Sequence, residues 1–260
     1  MRLELFEGAL LRRFGTGRNK IICLPAFADD GTAFTPLSAS VVAQHFELIV
    51  CDLPGFGASL PLTGPASLGV YADFVLHVAD AISPARPVGI AAHSLSATIA
   101  VEAALRAPER IGAVFSVEGN LTEADAYLSG RAAAFDDAET FKTAFVDAVW
   151  QMAEADPRIR RYFSAVRMAD AASMWRIGQD AARLGVDDGF GRAYLRLPAL
   201  GVANLYLWAR KHAPATTTDF IDCHAIANRE FATSGHWKSV DAPMETGEIA
   251  DAFFAAALAN

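Results

Sequence analysis

The stretch "GIAAHSLSATIAVEAALRA", residues 89–107, carries the features that decide the fold. It begins with a short apolar run typical of a buried strand and ends with a longer run typical of a buried helix, with Ser94 at the junction. Two interpretations fit the polar pair His93-Ser94 between these apolar runs. Ser94 is a nucleophile presented by a sharp strand-to-helix turn, or it only caps the helix. The first requires small residues two positions before and two after the serine, and Ala92 and Ser96 meet that requirement. The pattern therefore favours a nucleophile.

Strand-like and helix-like segments alternate around this stretch. Helical patterns lie at about 69–81 and 95–107, and the final residues "METGEIADAFFAAALA" predict a closing helix. Six short apolar runs predict strands: "KIICLPAF" (20–27), "FELIVCD" (46–52), "PVGIAAH" (87–93), "IGAVFSVEG" (111–119), "PALGVANLYLW" (198–208) and "CHAIANREF" (223–231). Alternation of this kind predicts a mostly parallel central sheet flanked by helices, an α/β fold. The opening "LELFEGALLRRF" instead predicts an antiparallel pair that turns near Glu7-Gly8.

The residue pattern of the chain changes after Gly119, where Ala-rich amphipathic segments replace the β-branched runs. Helix starts are indicated at Thr122, Asp136-Asp137 and Asp156-Pro157. We therefore expect a helical cap over residues 121–195, inserted after the strand that ends near Glu118. Residues 1–120 and 196–260 would then form the core domain.

Composition restricts the functional classes. The chain has 260 residues, with 22 Lys+Arg against 30 Asp+Glu, so its net charge of −8 argues against nucleic acid as the main partner. Neither a secretory signal nor an apolar run long enough to span a membrane is visible, which predicts a cytoplasmic protein without a membrane partner. The expected partner is a small-molecule substrate. The sequence does not fix the oligomeric state, and a homodimer is one of the alternatives. The three cysteines are widely separated and odd in number, as expected of free thiols.

Other segments add to the picture or exclude alternatives. In "LPAFADDGTAF" (24–34), the Phe27 N–H could join the Leu95 N–H in holding a developing oxyanion; the alternative is an ordinary surface loop. Gly55-Phe56-Gly57 lacks both the third glycine and the following helix of a dinucleotide site, so no nicotinamide or flavin is expected. His236 stands between the last strand-like run and the final helix, where a general base could reach a nucleophile at the sheet edge. Asp222, His224 and His236 make a nonspecific pattern for a metal site, and we expect neither metal nor organic cofactor.

In this order, the segments resemble the α/β-hydrolase superfamily over nearly the whole chain. The likeness rests on the loop at residues 25–27, "DLPGFGAS" (52–59), the turn around Ser94, the helical cap, and "GHW" followed by "AP" and a closing helix. The resemblance implies Ser94 as nucleophile, His236 as general base, and the N–H groups of Phe27 and Leu95 as the oxyanion hole. Where the superfamily usually begins its oxyanion loop with His-Gly, this chain has Pro25-Ala26.

The acid that would partner His236 is less clearly marked. The turn that usually carries it in the superfamily reads Ala209-Arg210-Lys211-His212 and has no carboxylate. Some members place the acid at the end of the strand before the cap, where this chain has Glu118. We expect Glu118 to be the acid, because a carboxylate ending an apolar strand is costly unless it is paired. Asp219 and Asp222 are the alternatives, and a purely structural role for Glu118 stays open.

Together these expectations describe a serine hydrolase that cleaves a small to medium, largely apolar ester, thioester or lactone through an acyl-enzyme on Ser94. A carbon–carbon bond hydrolase or an acyltransferase would use the same groups, because the fold does not fix the acceptor. A ligand-binding member without activity is the alternative outside enzymes, favoured by the missing carboxylate near His212.

Overall fold

The computed structural model describes residues 1–232 and 235–259, and its centre is one eight-stranded sheet. The strands are β1 (Arg2–Phe6), β2 (Ala9–Phe14), β3 (Lys20–Leu24), β4 (Glu47–Cys51), β5 (Val88–His93), β6 (Ile111–Val117), β7 (Ala203–Trp208) and β8 (Asn228–Glu230). They lie in the order β1-β2-β4-β3-β5-β6-β7-β8, and every pair from β4 to β8 is parallel. The predicted α/β architecture with a mostly parallel sheet is confirmed.

The helices of the described residues flank this sheet. They are α1 (Val42–His45), α2 (Leu68–Ile82), α3 (Ser96–Arg106), α4 (Ala138–Ala155), α5 (Arg160–Met168), α6 (Ala171–Gly185), α7 (Gly189–Tyr194), α8 (Ala215–Cys223), α9 (Lys238–Asp241) and α10 (Pro243–Ala257). Short 3-10 turns lie at Gly31–Ala33, Thr35–Ala39, Glu123–Ala126, Ser129–Ala134, Pro157–Ile159, Val186–Asp188, Pro198–Leu200 and Arg210–His212. α4 to α7 all lie between β6 and β7, as a helical insertion requires, while the boundaries at 121 and 195 stay predictions.

Successive side chains of the central strands bury on opposite faces of the sheet. On β5, Ile90 and Ala92 pack into the apolar cluster that contains α2, α3 and the cap helices. Ala91 between them packs into the second cluster, with α1 and α10. Burial on both faces explains why these strands read as continuous apolar runs rather than as alternating ones.

The antiparallel edge also forms where it was predicted. β1 pairs with β2 through a two-residue turn, in which Glu7 (φ 50°) and Gly8 (φ 82°) both adopt positive φ. Two positive φ angles are the requirement of the type I′ turn that suits a twisted hairpin. β2 then pairs antiparallel with β4 and joins the hairpin to the parallel part of the sheet.

The Gly55-Phe56-Gly57 stretch has a structural role in the fold. The buried Asp52 carboxylate accepts hydrogen bonds from the Gly31 and Ala58 amides (2.7 and 2.9 Å) and from the Arg12 guanidinium. Gly57 has φ 56°, and a Cβ there would lie 2.3 Å from the Asp52 carboxylate. The glycine therefore lets the chain close around Asp52.

Two of the three cysteines are buried in the sheet, Cys23 on β3 and Cys51 on β4, and Cys223 is exposed at the end of α8. All three are free thiols, as predicted. Among the described residues, no helix has both the length and the apolar character needed to cross a membrane.

Candidate active site

Three strained residues follow the carboxyl ends of three neighbouring strands. Ala28 (φ 57°) comes after β3, Ser94 (φ 54°) after β5 and Glu118 (φ 48°) after β6. β3, β5 and β6 are adjacent and parallel, so these residues share one edge of the sheet. Residues other than glycine rarely adopt such angles, and strain of this kind concentrates at functional sites. The strained backbone therefore marks this edge of the sheet as the candidate active site.

The turn at Ser94 has the form that the sequence pattern predicted. β5 ends at His93 and α3 begins at Ser96, so only Ser94 and Leu95 connect strand and helix. Ala92 is completely buried, and the Ser94 amide donates to the Val117 carbonyl at 2.9 Å. This bond fixes the turn against β6 while the Ser94 side chain stays half-buried.

The loop after β3 is tied directly to this turn. The Ser96 hydroxyl donates to the Pro25 carbonyl at 2.5 Å, and the Tyr162 hydroxyl of α5 donates to the Phe27 carbonyl at 2.9 Å. Within residues 1–232 and 235–259, neither the Phe27 nor the Leu95 amide donates to another protein group. Both amides are thus available to an acceptor from outside the chain.

A cavity of about 210 Å³ opens at this edge and brings together three of the five predicted site residues. Ser94, Phe27 and His236 all line it, and Leu95 lies beside them, buried behind Ser94. The cap contributes further apolar wall, namely Leu128, Met152, Ile159 and Tyr162. The cavity can hold a largely apolar molecule with a reacting group near Ser94.

His236 is held through its backbone and its neighbours. Nε2 of the buried His93 donates to the His236 carbonyl at 3.1 Å, and the centroids of the two rings are 4.6 Å apart. The Trp237 indole N–H donates to the Asp29 carboxylate at 3.1 Å. Two side chains of the sheet edge therefore fix the loop that carries His236.

The surroundings of His236 favour its neutral form. Burial lowers the pKa of its imidazole to about 4, and the charges of Lys238 and His212 act in the same direction. A histidine with this pKa is neutral at physiological pH and can accept a proton.

Glu118 lies at the predicted strand end, where its carboxylate meets two donors. Oε1 accepts from the Lys238 ammonium at 2.5 Å and from the Ala209 amide at 2.9 Å. Burial raises the pKa of Glu118, while the charge of Lys238 opposes that shift. The role of Glu118 as acid partner of His236 stays a prediction.

The alternative acids lie at the surface. Asp222, near the end of α8, forms an exposed ion pair with Arg210 (3.0 Å), and Asp219 is exposed on the same helix. His212, in the turn where the superfamily usually carries its acid, lines the cavity instead.

Sequence reasoning missed an ion pair between the cap and the loop after β3. Asp29 is 1% exposed, and both of its carboxylate oxygens accept from the Arg161 guanidinium of α5, each at 2.7 Å. Arg161 is one of several arginines in this part of the cap, and its partner lies 132 positions away. No local signal distinguishes it from its exposed neighbours.

We expect Arg161→Met to lower the free energy of unfolding by about 3 kcal/mol, because it leaves a buried carboxylate without its cation. Chemical denaturation followed by tryptophan fluorescence measures the change. Arg158→Met is the matched control. Among the described residues, Arg158 forms an ion pair with the half-buried Asp156 two positions away, and its own side chain is exposed, so the change should leave stability unchanged. Equal stability of both variants would show that the Asp29 ion pair does not fasten the cap.

Comparisons with known proteins agree with this architecture. A family model described as the alpha/beta hydrolase fold matches residues 19–170, more than half of the chain. A search of curated protein sequences found no match to this chain.

Similar solved structures cover nearly all of the chain. One is an esterase from Thermogutta terrifontis (14% identity, 96% of this chain and 94% of that one, TM-score 0.72). Another is an enol-lactonase from Burkholderia xenovorans (17%, 97% and 99%, TM-score 0.72). A third is the N-acyl homoserine lactonase AidH in complex with N-butanoyl homoserine (15%, 98% and 97%, TM-score 0.74). At these identities the likeness establishes the fold.

Proposed function

The chain belongs to the α/β-hydrolase family, and from that premise we propose that it is a serine hydrolase that cleaves an ester, thioester or lactone through an acyl-enzyme on Ser94. One observation carries the proposal: Ser94, with φ 54°, stands in the two-residue turn between β5 and α3 and lines the same cavity as His236. A serine that only capped a helix would not need a left-handed backbone.

The proposed reaction uses groups that this edge of the sheet supplies. The Ser94 hydroxyl attacks the substrate carbonyl carbon while His236 takes its proton. The N–H groups of Phe27 and Leu95 hold the oxyanion, and its collapse breaks the bond to the leaving oxygen or sulfur as His236 returns the proton. An ester or thioester releases its alcohol or thiol, whereas an opened lactone keeps its new hydroxyl on the acyl group bound to Ser94. Water, deprotonated by His236, then attacks the acyl carbon. The bond from that carbon to Ser94 Oγ breaks as His236 returns the proton to Oγ, which releases the acid and restores Ser94.

The proposed substrate follows from the lining of the cavity. Its walls are largely apolar, and its volume of about 210 Å³ suits a small to medium acyl group. The structural neighbours include an esterase and two lactonases, which is compatible with this substrate class.

A fluorophosphonate probe tests the proposal. The protein should take up one phosphonyl group, located by peptide mass spectrometry on Ser94, and a p-nitrophenyl ester should give a burst of p-nitrophenol stoichiometric with enzyme. Labelling at another residue, or none, would refute the assignment of Ser94.

On acidification, kcat/KM should drop to half of its plateau value near pH 4, because only neutral His236 accepts the Ser94 proton. An ordinary histidine would give the same drop at about pH 6.5. Ester hydrolysis measured between pH 8 and pH 3.5 checks this.

The fold must be monitored across the same range. The His236 pKa is lower in the folded than in the unfolded chain, so this group reduces stability as the pH falls from about 6.5 towards 4. Tryptophan fluorescence separates unfolding from protonation of the base. Half of the activity lost near pH 6.5 in folded protein would contradict the prediction.

A further inference from the structure

Lys238, two positions after His236, is a completely buried lysine. The exposed fraction of its side chain is 0%, and its ammonium donates to Glu118 Oε1 (2.5 Å) and to the Gly235 carbonyl (2.6 Å). The centroid of the Phe231 ring lies 5.9 Å from the same nitrogen. The side chain of Lys238 therefore connects the end of β6 to the loop that carries His236.

This contact completes a set of three on consecutive residues. Lys238 holds the carbonyl of Gly235, His93 holds the carbonyl of His236, and Asp29 holds the indole of Trp237. A general base works only within hydrogen-bond reach of its proton donor, and a displacement of about 1 Å can cost about 100-fold in rate. Each of the three contacts thus restricts the position of the His236 ring.

The Lys238–Glu118 pair is not explained by stability alone. Removing two charges from water is expensive, and apolar residues of similar size often stabilise a core as well or better. The pair lies beside the proposed base, where the charge of Lys238 also acts on the imidazole. A functional role would explain why this ion pair is present although its burial is energetically costly.

Resting on the proposed function, we propose that Lys238 and Glu118 are a positioning pair for His236, in which Glu118 acts on His236 only through Lys238. Lys238 fixes the loop through the Gly235 carbonyl, and Glu118 keeps Lys238 in place and neutralises it. This role differs from that of a triad acid, whose carboxylate would accept directly from the His236 ring. The carboxylate of Glu118 instead accepts from Lys238 and the Ala209 amide.

Other charged and titratable groups also surround His236. His93 of β5 packs against its ring and the charge of His212, in the turn after β7, acts on it. The others line the same cavity: Asp241 of α9, and Asp125, Tyr127, Asp156, Arg158, Arg161 and Tyr162 of the cap. Changes confined to Lys238 and Glu118 leave these groups in place, so a shift in the His236 titration reports the pair.

Three variants test the inference: Lys238→Met, Glu118→Gln and the double variant. Lys238→Met leaves a buried carboxyl whose pKa burial already raises, so Glu118 can take up a proton. Glu118→Gln leaves a buried cation and is the variant most prone to unfold. The double variant buries no charge at the pair, so its comparison with Lys238→Met and with wild type is decisive. Lys211→Met, at an exposed lysine of the turn after β7, controls for a general loss of charge.

For p-nitrophenyl butyrate we expect Lys238→Met to lower kcat by about 10- to 100-fold at little change in KM. In the Lys238→Met background, Glu118→Gln should change kcat by less than about twofold, because the two residues act as a unit. If Glu118 were the direct acid, the double variant would lie about 10⁴-fold below wild type, whether the loss appears in Lys238→Met, through a proton on Glu118, or on adding Glu118→Gln. That loss, or wild-type kcat in Lys238→Met, would overturn the inference.

A second readout does not depend on turnover. NMR titration of the His236 ring, assigned with His236→Gln, should show a raised pKa in Lys238→Met and an unchanged pKa in Lys211→Met. An unchanged His236 titration in Lys238→Met would also overturn the inference. Failure of the proposed function is distinguishable from failure of the inference. In that case the wild-type protein would take up no fluorophosphonate, while Lys238→Met would still shift the pKa of His236.

Discussion

Ser94→Ala should lower kcat for p-nitrophenyl esters by at least about 10⁴-fold and abolish fluorophosphonate labelling, because it removes the only proposed site of covalent attachment. KM should change little, since the cavity walls stay in place. Steady-state kinetics and intact-protein mass measure the two effects. A labelled Ser94→Ala variant would show that another nucleophile operates.

Ser96, the first residue of α3, provides the matched control as a second serine two positions after Ser94. Its hydroxyl donates to the Pro25 carbonyl and is buried, so Ser96→Ala removes one hydrogen bond worth about 1 kcal/mol. This variant should still be labelled to one equivalent. Loss of labelling in both variants would indicate damage to the turn rather than removal of a nucleophile.

His236→Gln should have an effect of similar size, because the serine remains a weak nucleophile without its base. The double variant Ser94→Ala/His236→Gln should be no slower than Ser94→Ala, since residues that act as a unit lose their contributions together. Kinetics of the three proteins, under identical conditions, test this non-additivity.

His77→Gln is the control for loss of a histidine. His77 lies on α2 with 62% of its side chain exposed, and its replacement should leave kcat unchanged. A further loss of at least about tenfold in the double variant would mean that His236 contributes independently of Ser94.

Local patterns in the sequence were sufficient to predict most of the fold. The hairpin at Glu7-Gly8 and the turn at Ser94 each depend on a few consecutive residues, whose conformational preferences can be read from the residue types. The buried strands follow in the same way from their unbroken apolar runs.

The partners of individual side chains could not be predicted in this way. Glu118 was singled out because a buried carboxylate needs a partner, but Lys238 lies 120 positions away and carries no local mark. Asp29 belongs to the stretch 24–34, for which an ordinary surface loop was one of two interpretations, and its partner Arg161 lies 132 positions away in the cap. Such pairs depend on how distant segments meet, which hydrophobic periodicity does not encode.

The bonds from α5 to the loop after β3 bear on protein engineering. Arg161 and Tyr162 are consecutive, and they hold Asp29 and the Phe27 carbonyl at the edge of the sheet where Ser94 lies. A chimera that exchanges the whole insertion for that of another hydrolase would remove both supports from the loop that carries the Phe27 amide. Transplants intended to change substrate range should therefore keep α5 from this chain and replace only the segments around it.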